Sequence, residues 1–162
     1  MMKDKVKVII FDADDTLWDN QTYFDRAEDV FTDELKEYGT AEELSDALYK
    51  TESANMPVLG YGAKAVCISM METALKVSDH KVPGENLSRI LSSAKSLLSL
   101  PATPLPGVAR TLDALDKTGR YRLILMTKGD MLDQQNKIKR SGLDKYFYRV
   151  IVVTKKGIKE YL

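Results

Sequence analysis

A chain of 162 residues with 24 basic and 24 acidic side chains carries no net charge, and it is long enough for one domain with a real core or for a small core carrying an insertion. The balance argues against non-specific nucleic-acid binding, which needs a basic footprint. One cysteine, Cys67, excludes an intramolecular disulfide, the start Met-Met-Lys-Asp-Lys lacks an apolar signal core, and no run approaches a membrane span, so a cytoplasmic protein that meets neither membrane nor nucleic acid is expected.

In chain order, the first element is a predicted strand, Val6–Phe11, whose residues are mostly β-branched or aromatic and leave almost no polar face. Such a strand is expected to be buried on both sides of a parallel sheet. It ends abruptly in Asp12-Ala13-Asp14-Asp15-Thr16-Leu17, at the edge where open α/β sheets bind ligands. Two carboxylates one residue apart repel each other and invite a divalent cation. The pattern then turns helical. Phe24, Ala27, Phe31, Leu35 and Tyr38 recur at steps of three and four, with Gly39 as the stop. Thr40-Ala41-Glu42-Glu43 reads as a capping box opening a second helix that Asn55-Met56-Pro57 is expected to end. A third helix follows Gly62, and a fourth runs from about Glu85. Cys67 falls on the apolar stripe of the third helix and reads as a packed thiol, and His80 as a surface loop residue. Met56, Leu59, Tyr61, Met70 and Met71 are mostly core residues of a small bundle, with a substrate-contacting patch as the other reading.

Three prolines in Pro101–Gly107 end the helical excursion. A short helix with Val108, Leu112 and Leu115 follows, then a strand over Tyr121–Met126, a helix over Asp130–Ser141 and a strand over Phe147–Val153. The predicted architecture is therefore α/β: a Rossmann-like, doubly wound parallel sheet from residues 1–19 and 101–162, interrupted once by an all-helical segment, 20–100. Thr127, at the end of the second strand and before a flexible turn opening a helix, has the placement of a phosphate-binding hydroxyl, with backbone N–H groups at the helix start adding to it.

The apolar strand followed by Asp12-Ala13-Asp14-Asp15-Thr16-Leu17 resembles the first motif of the haloacid dehalogenase-like hydrolases, D-x-D-x-[TV]-[LV], at every constrained position. By the same resemblance Thr127 is the second motif, and Val152-Val153-Thr154-Lys155-Lys156 is similar to the segment bearing the third, a lysine, with Lys156 as first choice and Lys155 as the substitute. The resemblance implies a helical cap over 20–100 that helps select substrate. It also implies a Mg²⁺-dependent phosphomonoester hydrolase acting on a small phosphorylated metabolite through an aspartyl-phosphate. Asp12, Asp14 and Lys156 are then the catalytic residues, as nucleophile, acid/base and charge partner. Thr127, Lys128, Gly129 and Lys156 bind phosphate, and Asp12 and Asp14 hold the metal.

One departure stands out. The family's fourth motif, an acidic pair after a further strand, has no counterpart before Leu162. The expectation is a sheet incomplete at the C-terminus, belonging to a longer hydrolase or covering its edge by self-association, with weak Mg²⁺ affinity in either case. Two rival classes follow from the same residues: a protein of this fold that binds or assembles without turnover, and a receiver-type phosphoacceptor domain. The second expects its acceptor aspartate after a later strand, where Thr127-Lys128 and Thr154-Lys155 stand instead.

Overall fold

The computed structural model describes residues 7–154 and 156–158. The chain divides into two compact units, a helical one over Gln21–Leu100 and an α/β one formed by the residues on either side of it.

The α/β unit holds strands β1 (Lys7–Phe11), β2 (Tyr121–Lys128) and β3 (Arg149–Val153), all parallel in the order β1-β2-β3. Val6 lies outside the described residues. Phe11 pairs with Leu125 and Thr127 with Val152, so the three C-terminal ends reach one edge of the sheet. β2 runs two residues past its predicted end, which brings Thr127 and Lys128 into the strand. Helices α5 (Val108–Lys117) and α6 (Met131–Ser141) are the crossovers. Right-handed connections stepping the same way across a sheet put both helices on the same face. Ile9, Phe11, Leu123, Leu125 and Val150 accordingly form one core with Leu112 of α5 and Ile138 of α6, and Phe147 meets Phe11 edge to face at 6.1 Å.

The expected burial of the first strand on both sides is therefore corrected. Val8 and Ile10, which point the other way, are 53% and 36% exposed. Their apolar character is that of a face made to be covered, while α5 and α6 pack with the residues of the opposite face. Lys7–Phe11 is also an edge strand of the three-stranded sheet.

The helical unit comprises α1 (Gln21–Glu34), α2 (Ala41–Leu59), α3 (Ala63–Val77) and α4 (Gly84–Ser96). Phe31, Leu35, Leu44, Leu48, Met70, Ile90 and Leu97 are its buried centre. The capping box forms as predicted: Glu43 N–H donates to Thr40 Oγ1 at 3.3 Å and Thr40 N–H donates to Glu43 Oε2 at 2.8 Å. The Thr40 backbone N–H foremost, and the Thr40 hydroxyl with it, donate to the Glu43 carboxylate and hold it below its ordinary pKa. The second helix does not end at Asn55-Met56-Pro57 but continues to Leu59, with Pro57 inside its last turn. A proline loses one backbone bond there, at an end that Gly60 (φ 70°) closes by donating to the Met56 carbonyl. Met70 is core and Met71 packs on it, whereas Met56, Leu59 and Tyr61 are exposed. Cys67 packs against the same core, and burial raises its thiol pKa. His80 is exposed in a turn with positive φ.

Candidate active site

The turn after β1 sorts its side chains by polarity. Ala13 and Leu17 are buried in the core of the α/β unit, and the Thr16 and Leu17 amides both donate to the Ala13 carbonyl, at 3.1 and 2.8 Å. With Ala13 and Leu17 anchored, Asp12 and Asp14 are left on the ligand edge. Asp15 adopts φ 58°, a left-handed conformation that aspartate tolerates better than most residues, and its Oδ1 accepts the Asn20 N–H at 2.9 Å. Trp18 is buried, and the returning segment is stitched to this turn where Leu105 N–H donates to the Leu17 carbonyl at 2.8 Å.

The two acids have different surroundings. Asp12 is half-exposed, and Lys156, three residues beyond β3, donates from Nζ to its Oδ1 in an ion pair. Lys155 lies outside the described residues. Asp14 instead meets three donors: Trp18 Nε1 at 2.9 Å on Oδ1, Gln134 Nε2 at 2.7 Å on Oδ2, and Lys137 Nζ at 3.2 and 3.4 Å on the two oxygens. Thr127, at the same edge, is 1% exposed, and its hydroxyl donates to the Lys128 carbonyl at 3.4 Å, so contact with a phosphate would require the hydroxyl to rotate away from it.

Gln134 and Lys137 come from α6, and sequence reasoning missed them. Asp130 caps that helix, accepting the Asp133 N–H at 3.0 Å. Its inward residues are Asp133, Gln134, Lys137 and Ile138, while Met131 and Leu132 face solvent. A helix whose sequence offers a single inward apolar residue must turn a polar face to the sheet, and that was the available signal. Burial raises the pKa of Asp133 foremost, with the nearby Lys137 ammonium acting against it. Asp133 Oδ1 and Gln134 Oε1 are buried without a hydrogen-bond partner.

Gly129 allows this packing. Its φ is 138°, and a Cβ built there would lie 3.0 Å from Gln134 Nε2. Gly129→Ala is therefore expected to cost about 1–3 kcal/mol in backbone strain and to push Gln134 off Asp14. Urea denaturation checks it: a midpoint equal to the parent's would mean that the loop accepts a side chain without strain.

The haloacid dehalogenase-like hydrolase family model matches residues 6–161. The chain belongs to that family. A haloacid dehalogenase-like family hydrolase from Xanthomonas campestris is 33% identical over 96% of this chain and 65% of its own, with a TM-score of 0.88. A HAD-hydrolase from Bacillus subtilis bound to magnesium (15% identity, 91% of this chain and 65% of that one, TM-score 0.59) shares the fold. So does the L-2-haloacid dehalogenase of Xanthobacter autotrophicus (21%, 91% and 57%, TM-score 0.57). The chain thus spans 57–65% of the length of these solved structures. No curated protein is matched.

Of the two acids expected to hold Mg²⁺ in this member of the HAD-like family, Asp12 is the more exposed and accepts on Oδ1 from Lys156, whereas both Asp14 oxygens accept from donors, an ammonium among them. Among the described residues no group of three or more His, Cys, Asp or Glu is arranged to hold a metal ion. These residues do not by themselves complete a magnesium shell.

Proposed function

We propose that the chain carries the catalytic acids of a phosphomonoester hydrolase acting on a small phosphorylated metabolite. The supporting observation is the second carboxylate, Asp14, held by directed donors beside the more open Asp12. Solved structures of the same fold include a dehalogenase, and a carboxylate such as Asp12 is a nucleophile suited to either chemistry. The two chemistries differ in what leaves. A halide departs as a stable anion, whereas an alcohol leaving phosphorus needs a proton. A second acid therefore serves the first step of phosphoryl transfer and has no task in the first step of dehalogenation.

In this reading an Asp12 oxygen attacks phosphorus, the P–O bond to the alcohol breaks, and Asp14, protonated at this step, gives its proton to the departing oxygen. Asp14, now a carboxylate, takes a proton from water as the water oxygen attacks phosphorus. The aspartyl-phosphate bond breaks, and phosphate and the Asp12 carboxylate are released. Lys156 offsets the charge that gathers beside Asp12, and Thr127 with the backbone at Lys128 and Gly129 receives the phosphoryl oxygens. The helical unit, Gln21–Leu100, serves as the substrate-selecting cap. Mg²⁺, with Asp12 as one ligand, is part of the proposal, as is a cytoplasmic setting without nucleic-acid or membrane partners. No helix among the described residues is long and apolar enough to cross a membrane.

A second reading, binding or assembly without turnover, is favoured by the lack of a three-acid cation cluster among the described residues. The uncovered face and edge of β1 would then serve self-association. Phosphate and chloride release from phosphomonoesters and from 2-chloropropionate, each with and without Mg²⁺, separates the possibilities. Phosphate release alone is expected. Chloride release would overturn the phosphatase reading, and neither product, with stable labelling by acetyl phosphate, would favour the second.

A further inference from the structure

We propose that Lys137 is a positioning residue, whose ammonium works with Gln134 Nε2 and Trp18 Nε1 to fix the Asp14 carboxylate for proton transfer. Lys137 is 2% exposed and comes from α6, yet its Nζ lies 3.2 Å from Asp14 Oδ1, 2.9 Å from Asn20 Oδ1 and 3.4 Å from Asp133 Oδ2. An ammonium has three N–H donors and no acceptor, so these three residues, with Asp14 taking a forked contact on both oxygens, account for all of its capacity. Two of the contacts fall on the turn that carries Asp12 and Asp14. One cation thus grips the acid and the exit of its turn together, and Asn20 is itself tied to Asp15 through its backbone N–H.

Burying an ammonium is an expensive way to fasten a helix. A buried ion pair usually does no better than well-packed apolar groups of the same volume, and α6 could have carried a leucine or methionine at this position. Lysine is accounted for by what it touches. A carboxylate offers about four lone-pair directions. Trp18, Gln134 and the forked Lys137 contacts occupy Asp14 from the protein side, while a quarter of its side chain stays open. Held in this way, the carboxylate keeps one orientation, with its open side toward solvent. Without Lys137 the Asp14 side chain would keep two neutral donors and gain rotational freedom.

The experiment uses Lys137→Met, which keeps the unbranched stem up to the position of Cε and removes the cation. Its kinetic arm rests on the phosphohydrolase reading. With glycerol 2-phosphate, whose leaving alcohol needs a proton, kcat should fall about 100-fold with KM within about twofold. With p-nitrophenyl phosphate, whose phenolate leaves unaided, it should fall less than about tenfold. Equal losses on both substrates would show that Lys137 only holds the fold, and would overturn the proposal. The second arm needs no activity. Trp18 is the only tryptophan, so the protein has a single indole N–H resonance, and that group donates to Asp14 Oδ1. In Lys137→Met this resonance should move toward its position in Asp14→Ala, whereas a resonance left at the parent position would refute the assignment. A parent protein that hydrolyses neither ester would defeat the phosphohydrolase reading and leave the indole result to decide the role of Lys137. Should Lys137→Met not fold, the double variant Asp133→Asn/Lys137→Met, which strands no buried carboxylate, is measured in its place with the same outcomes.

Discussion

Asp12→Asn should abolish turnover, lowering kcat by on the order of 10⁴-fold or more, as loss of an attacking nucleophile does. Asparagine keeps the shape of the side chain but not its charge, so it neither attacks phosphorus nor pairs with Lys156. Asp12 is half-exposed at the mouth of the sheet, and its partner stands beyond the last strand. The fold should therefore be nearly indifferent to the change, with stability within about 0.5 kcal/mol of the parent. Steady-state kinetics and urea denaturation on the same preparations test both halves. Hydrolysis at the parent rate would show that another group attacks, and a large loss of stability would show that the ion pair is a structural clamp.

The largest effect on folding is expected at Phe31. Its ring is fully buried at the centre of the helical unit, among Leu35, Leu44, Leu48, Met70 and Ile90 in one cluster. Phe31→Ala should cost about 3–5 kcal/mol, the transfer free energy of the ring plus the cavity left behind. A typical protein has only about 5–15 kcal/mol in total. Val8→Ala, on the exposed sheet face, should change stability by less than about 0.5 kcal/mol. Urea midpoints for the two variants measured together decide: similar costs would mean that the face of β1 carrying Val8 is covered in solution.

What the sequence made legible were features written locally. An apolar strand ending in acids, a capping box and a proline-rich return segment each announce themselves within a few residues, and the helix and strand periods carry the rest of the element order. Burial of β1 was misjudged because the residues of a strand tell which of its faces can be covered, not which neighbours are present to cover them. Pro57 was read as a stop because proline is costly in a helix interior, although one turn from the C-terminus the cost is small. The setting of Asp14 was illegible for another reason. Gln134 and Lys137 reach it across 120 and 123 residues of chain, a contact that no local period encodes. Only the shortage of apolar residues in α6 hinted that its inner face had polar work to do.

The polar inner face of α6 bears also on motion. Proteins open segment by segment, and segments with little buried apolar area open at lower free energy than the whole. α6 contributes Ile138 to the apolar core and is otherwise moored through Gln134 and Lys137 to Asp14, Asn20 and the Lys128 carbonyl. When the helix lifts, the carboxylate loses two of its three donors in the same event. Hydrogen exchange at the α6 amides is thus a gauge of how often the site is assembled, readable in a protein with no substrate bound.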